Sequence, residues 1–219
     1  MNLFWRKTIM ALTGLFLCLF LVVHLSANAI LLLPEETARG LYNSYSTTLR
    51  ESPLIKLVAY ALYASILLHT VYAVIITVLN RRAKPTRYAV NRFRANSTWT
   101  SQNMGWIGGL ILIFIVIHLV NFWARIKLGI GAEVGLDAQG QVDVYTVSYA
   151  LFQNPYYVLF YSILMIPLGL HLHHGLASGL RSLGFYHRQG SRILAKASLT
   201  YAAVISVGFG LIPLVVYLK

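Results

Sequence analysis

The sequence predicts an all-α membrane protein built from five transmembrane helices, and three observations carry that expectation. Of its 219 residues 58% are hydrophobic and only 11% charged, far from the balance of an ordinary soluble domain. The apolar residues collect in five stretches, each long enough to cross a hydrocarbon core of ~30 Å as a helix. None of the five shows the period-two alternation of a transmembrane barrel strand.

The first stretch covers about 8–33. Its basic start, MNLFWRK, and the small residues Ser26 to Ala29 imitate a secretory signal with its cleavage site. The apolar run is long for such a signal, continues through Ile30 to Leu33 and contains a histidine, so the expectation is a retained span. The second stretch, about 54–79, follows PEETARGLYNSYSTTLRESP, which reads as an ordinary loop. The third, about 104–124, follows the basic loop RRAKPTRYAVNRFRANS. The connection from Arg125 to Pro155 is long, and its later part, YTVSYALFQNP, reads as a short interfacial helix with tyrosines at headgroup level. The fourth and fifth stretches cover about 156–180 and 194–218. With no repeat or low-complexity tract, residues 1–219 read as a single transmembrane domain.

Lysine and arginine set the expected orientation. With the N-terminus in the cytoplasm, that side collects Arg6, Lys7, the basic residues of 81–94, and then Arg181, Arg188, Arg192 and Lys196. The six acidic residues all fall on the other side, which puts the C-terminus outside. The net charge of +12 sits in short loops between spans, where topology and anionic lipid headgroups account for it better than nucleic acid does. The single cysteine, Cys18, excludes an intrachain disulfide, a cysteine-based zinc site and the C-x-x-C-H attachment of a covalent haem.

Histidine at membrane depth is costly and therefore informative. His24, His69 and His118 lie one in each of the first three spans, and the fourth carries His171, His173 and His174. His187 falls in a basic loop and reads as solvated. At ~1.5 Å per residue, His24 and His118 lie ~10 to 15 Å from the outer boundary, and His69 and His171 ~15 to 18 Å from the inner one. Because successive helices run in opposite directions, scattered positions become an outer pair, His24 with His118, and an inner pair, His69 with His171.

Two imidazoles facing each other at each of two depths in a four-helix core suit bis-histidine ligation of two b-type haems. A flat macrocycle also needs small residues beside its ligands. Gly175 and Gly179 follow His171 at four-residue steps, Ser65 and Ala73 flank His69, and Ala27 and Asn28 follow His24; small residues also serve ordinary helix contacts. In the fourth span His173 lies about 200° around the helix from His171, and His174 about 60° to one side. His171 shares its stripe with the two glycines and is preferred, with His174 the fallback. Arg181 at the inner boundary suits a haem propionate, because guanidinium binds carboxylate bidentately; a snorkelling arginine is the other reading. A copper or zinc transporter would also use histidines, but usually with acidic or sulfur ligands, and no span contains Asp or Glu.

These elements resemble a known pattern. LLHTVYAV in the second span, IFIVIHLVNFWARI followed by GAEV in the third, and HLHHGL in the fourth are similar to the five-helix, two-haem cytochrome b subunit of succinate:quinone oxidoreductases, which include succinate dehydrogenases and fumarate reductases. The resemblance extends over nearly the whole chain, including the ARG and NSY elements of the first outer loop. It implies that His24 and His118 ligate the distal haem and His69 and His171 the proximal one. It also implies a flavoprotein subunit carrying FAD, an iron-sulfur subunit that relays electrons to the proximal haem, and quinone, menaquinone being expected, as the membrane substrate. Some members carry a glutamate two residues before the fourth-span ligand for proton transfer; here that position is Gly169, which argues against such a path.

The expected function is thus the membrane anchor and electron conduit of a succinate:menaquinone or quinol:fumarate oxidoreductase in the cell membrane. The chain alone does not oxidise succinate, having neither a flavin motif nor cysteine ligands for clusters. Tyr42, Tyr45, Glu51 and Trp123 are candidate quinone neighbours, although tyrosine and tryptophan at a membrane boundary are more often interfacial belt residues. The competing readings are the di-haem anchor of another quinone-linked dehydrogenase or hydrogenase, and a histidine-using transporter or proton channel without haem.

Overall fold

A computed structural model describes residues 3–82, 98–185 and 190–219. His187 and the basic residues of 83–97 lie outside these. Among the described residues the chain is helical, with one isolated bridge, Leu136 to Val142, and no strand. Five helices are long and apolar enough to span a membrane: Phe4–Leu32, Pro53–Arg82, Trp99–Leu128, Pro155–Ser182 and Arg192–Tyr217.

Helix α1 (Leu3–Asn28) tightens into a 3-10 turn, Ala29–Leu32, and stops before Pro34, whose preceding residue is held extended. The next segment corrects the expectation of a loop, because it is a helix, α2 (Glu35–Glu51). Few apolar residues mark it in the sequence. Pro34 opens it, Glu35 and Glu36 occupy its first turn and Arg50 its last, matching the helix dipole, and it buries Ala38 and Asn43. Helix α3 (Pro53–Arg82) starts on a proline, where a missing N–H costs nothing. Helix α4 (Trp99–His118) is capped by Thr98, whose hydroxyl accepts from the Ser101 amide at 3.2 Å. It passes into a π-helical turn, Leu119–Ala124, and then α5 (Arg125–Leu128), which Gly129 ends at φ 65°.

The expected interfacial helix is α6 (Val144–Phe152), capped by Asp143. The fourth span is a junction of α7 (Pro155–Ile163) and α8 (Met165–Ser182), and α9 (Gly190–Tyr217) closes the chain. Helix α1 packs against α3 and α8, and α8 packs in turn against α4; α3 and α4 touch sparingly. The four therefore form a ring in which α1 faces α4, and α3 faces α8, across the centre. Helix α9 lies outside it, against α8 and α1. Leu172, Ala202 and Ile205 bury the α8–α9 seam. None of the residues of α3 is buried among the described residues, as expected of a helix that turns an apolar surface to lipid.

One end of the ring is closed by α2, α6 and the chain before α6. Asn43, fully buried, donates to Asp137 Oδ2 at 3.0 Å and Asp143 Oδ1 at 3.1 Å and accepts from the Tyr145 amide at 2.9 Å. Arg39 pairs with Asp143 at 3.3 Å and donates to Thr146 at 2.6 Å. Burial disfavours the Asp143 charge. The bonds from Thr146 and Asn43 and the Arg39 guanidinium outweigh it and hold the carboxyl below the ordinary range. Lys219 completes this end by donating to the carbonyls of Leu31, at 2.6 Å, and Leu33.

Candidate functional site

The centre of the ring holds four imidazoles in two pairs. His24 on α1 faces His118 on α4, with ring centres 5.8 Å apart and planes at 87°. His69 on α3 faces His171 on α8 at 6.2 Å and 69°. Each pair therefore joins two helices that oppose each other across the centre, and the residues the depth argument matched are the ones brought together.

Their separation along the bundle follows from two glycines. A Cβ on Gly14 of α1 would stand 3.2 Å from His69 Cε1, and one on Gly108 of α4 would stand 3.8 Å from His171 Cε1. Gly14 and Gly108 each precede the histidine of their own helix by about ten residues, so the two pairs lie ~15 Å apart along the axis. At the depth where α3 and α8 carry imidazoles, α1 and α4 carry no side chain in their way.

The spacing within each pair fits an intervening metal. Two metal–nitrogen bonds of roughly 2 Å, plus roughly 1.1 Å from each nitrogen to its ring centre, place the centres about 6 Å apart. No third His, Cys, Asp or Glu completes a ligand group at either pair among the described residues. Each pair thus offers two facing imidazole donors.

The pairs differ in surroundings. Phe20 stacks on His24 at 5.1 Å, while Phe114, Phe122 and Tyr161 pack around His118 at 5.0 to 6.1 Å. Asn28 donates to the His24 carbonyl at 2.8 Å and accepts from the Tyr42 hydroxyl at 3.0 Å, which connects α2 to this pair. Burial, partly offset by a hydrogen bond with Ser148, pushes the Tyr42 phenol above its ordinary pKa. At the other pair, Thr13 Oγ1 lies 3.2 Å from His69 Nδ1, whereas the buried Nδ1 atoms of His171 and His118 have no partner among the described residues.

Not every expected neighbour lies beside the rings. Gly175 faces open space, but a Cβ on Gly179 would stand 3.8 Å from Ala11 Cα, so this glycine serves the contact of α8 with α1. Gly169 is occluded, since a Cβ there would meet Ser206 Oγ at 2.9 Å. His173 and His174 join neither pair, and Arg181 is exposed in the last turn of α8. Of the quinone candidates, Tyr42 is engaged with Asn28, Trp123 packs on Tyr63 at 6.1 Å, Tyr45 is half-buried and Glu51 exposed. None of them lines the apolar cleft of about 580 Å³ between the third and fourth spans, where Ile117, Val120, Asn121, Tyr157 and Phe160 form the walls. Asn121 stands in the π-helical turn and donates to the Tyr161 hydroxyl at 3.0 Å. Extra residues in such turns recur at functional sites. Only the polar residue at membrane depth hinted at this cleft in the sequence.

The fold and the paired imidazoles define an all-helical, multi-pass membrane protein with two histidine pairs in its bundle. No family model, curated protein or solved structure matches the chain.

Proposed function

We propose that the chain is the membrane anchor and electron-transfer subunit of a succinate:quinone oxidoreductase, with menaquinone as its quinone. The observation that carries this reading is the gathering of four histidines from four helices into two facing pairs. In it, His24 and His118 would hold one haem b, His69 and His171 a second, and Arg181 would bind a propionate. Bound haem supplies reversible one-electron chemistry. The chain's own residues fix the spacing of the two centres at ~15 Å, surround the His24 and His118 pair with aromatic side chains, and bring the imidazoles of each pair face to face across the bundle.

The N-terminus is cytoplasmic in this reading and the protein resides in the cell membrane, its outer surface in contact with lipid. The end bearing Arg81, Arg82 and Arg181 then faces the iron-sulfur subunit, which receives electrons from a flavoprotein carrying FAD. Quinone enters the cleft beside Asn121 from the lipid phase, next to the Tyr161 ring that packs 6.1 Å from His118. Replacing Asn121 by Leu is expected to raise the KM for quinone and leave haem content unchanged.

A reduced-minus-oxidised optical spectrum of the purified chain tests the haem assignment. Two b-type haems per chain are expected, and a spectrum without an α band overturns the reading in favour of a haem-free transporter or channel. Co-purification of a flavoprotein and an iron-sulfur protein is expected as well. Different soluble partners would assign the same haem core to another quinone-linked dehydrogenase or hydrogenase.

A further inference from the structure

We infer that Thr13 is a positioning residue for His69: it fixes which ring nitrogen carries the proton and so leaves Nε2 free to bind iron. The inference rests on the haem reading above, and it begins from a hydroxyl with two demands on it. Thr13 is 8% exposed, and its Oγ1 lies 2.7 Å from the Ile9 carbonyl, 3.2 Å from the Met10 carbonyl and 3.2 Å from His69 Nδ1.

A hydroxyl has one proton and two lone pairs. Both carbonyls are acceptors only, so the proton goes to them, and the 2.7 Å distance selects Ile9. The remaining contact is then satisfied only if the imidazole donates, from Nδ1–H to the Thr13 oxygen. The opposite tautomer would set a nitrogen lone pair against an oxygen lone pair, unless the hydroxyl gave up its short bond to Ile9. Back-bonding of threonine to the carbonyl four residues earlier is ordinary helix chemistry. The second contact, across to another helix, is what gives Thr13 its role.

Gly14 makes the approach possible, because a Cβ there would already press on His69 Cε1 at 3.2 Å. The partner ring is different: the Nδ1 of His171 is buried with no hydrogen-bond partner among the described residues. One imidazole of the pair is thus held and polarised from outside and the other is not. A hydrogen bond that withdraws the Nδ1 proton makes the ring a stronger donor through Nε2 and favours the ferric state. Thr13 therefore lowers the potential of the haem at His69 and His171 and leaves the one at His24 and His118 alone.

Redox titration of the complex, with Thr13→Val and Thr13→Ser beside the unchanged protein and His171→Ala to mark the inner haem, tests this. In Thr13→Val the inner haem is expected to titrate at a higher potential and to be held roughly 10-fold less tightly, with the outer haem unmoved and Thr13→Ser close to the unchanged protein. Two haems titrating unchanged in Thr13→Val, or an equal shift in Thr13→Ser, would overturn the inference while leaving the haem reading intact. An unchanged protein lacking haem would overturn both. Nitrogen-15 spectra of the haem-free protein and of Thr13→Val decide the matter even where the variant loses both haems: a proton on Nδ1 of His69 is expected in the first and a shift towards Nε2 in the second, and the same tautomer in both, as the Met10 carbonyl beside the ring would maintain, refutes the role.

Discussion

His24 and His118 meet with their planes at 87°, closer to a right angle than His69 and His171 at 69°. When axial imidazoles are crossed, neither in-plane direction at the metal is favoured, and the low-spin ferric signal becomes strongly anisotropic. With haem at each pair as proposed, low-temperature electron paramagnetic resonance of the oxidised protein is expected to show two such signals, with the more extreme one lost in His118→Ala. Ordinary rhombic signals at both centres would mean that the rings lie parallel.

On the proposed haem reading, removing one histidine of a pair should cost one haem. His24→Ala and His118→Ala are expected to halve haem content by losing the same centre, and His69→Ala and His171→Ala by losing the other, because each pair joins two opposing helices and neither His173 nor His174 belongs to a pair. His173→Ala should keep two haems, since His173 belongs to neither pair. Haem per chain, measured after purification, checks this, and two haems in His171→Ala would transfer the ligand role to His174.

The pairing of His24 with His118 was legible because it needed only span ends and chain direction, which hydropathy and the 1.5 Å rise supply. Helix α2 was not legible, because its order comes from Asn43 reaching Asp137 and Asp143 about a hundred residues later. The glycines divide the same way. Gly175 and Gly179 stood out by spacing on the ligand's own helix, yet the residues beside the rings are Gly14 and Gly108 on opposing helices. Which helix faces which is a property of packing that no single span encodes. The Thr13 contact lay out of sight for the same reason.

Gly169 offers a sharper test of the packing. A glutamate introduced here would not gain a proton path, because its Cβ would stand 2.9 Å from Ser206 Oγ and 3.2 Å from Ser206 Cβ on α9. Overpacking of this kind costs about 1–3 kcal/mol, and a carboxyl in the α8–α9 seam adds desolvation. Gly169→Glu is expected to lower the Tm, followed by loss of the haem absorbance, while Gly169→Glu combined with Ser206→Gly recovers part of it. A Tm unchanged in the single variant would mean that α9 sits farther from α8.

The clasp on α2 should fail in acid, and the sign follows from Asp143. Its folded carboxyl is held below the ordinary value of about 3.9, so its contribution is fully present above that value and lost as pH falls through the depressed one. Arg39 is 46% exposed, which limits the ion pair to about 1 kcal/mol at most; the larger part lies in the buried bonds that Asn43 makes. Exchange of the Tyr145 amide, which donates to Asn43 at 2.9 Å, is expected to stay slow from neutral pH down to about 4 and then to accelerate beyond the intrinsic trend. Asp143→Asn should show faster exchange at neutral pH and a weaker acid dependence. An amide equally protected at pH 7 in both proteins would mean that α2 is held by Ala38 and its apolar neighbours, with the aspartates as bystanders.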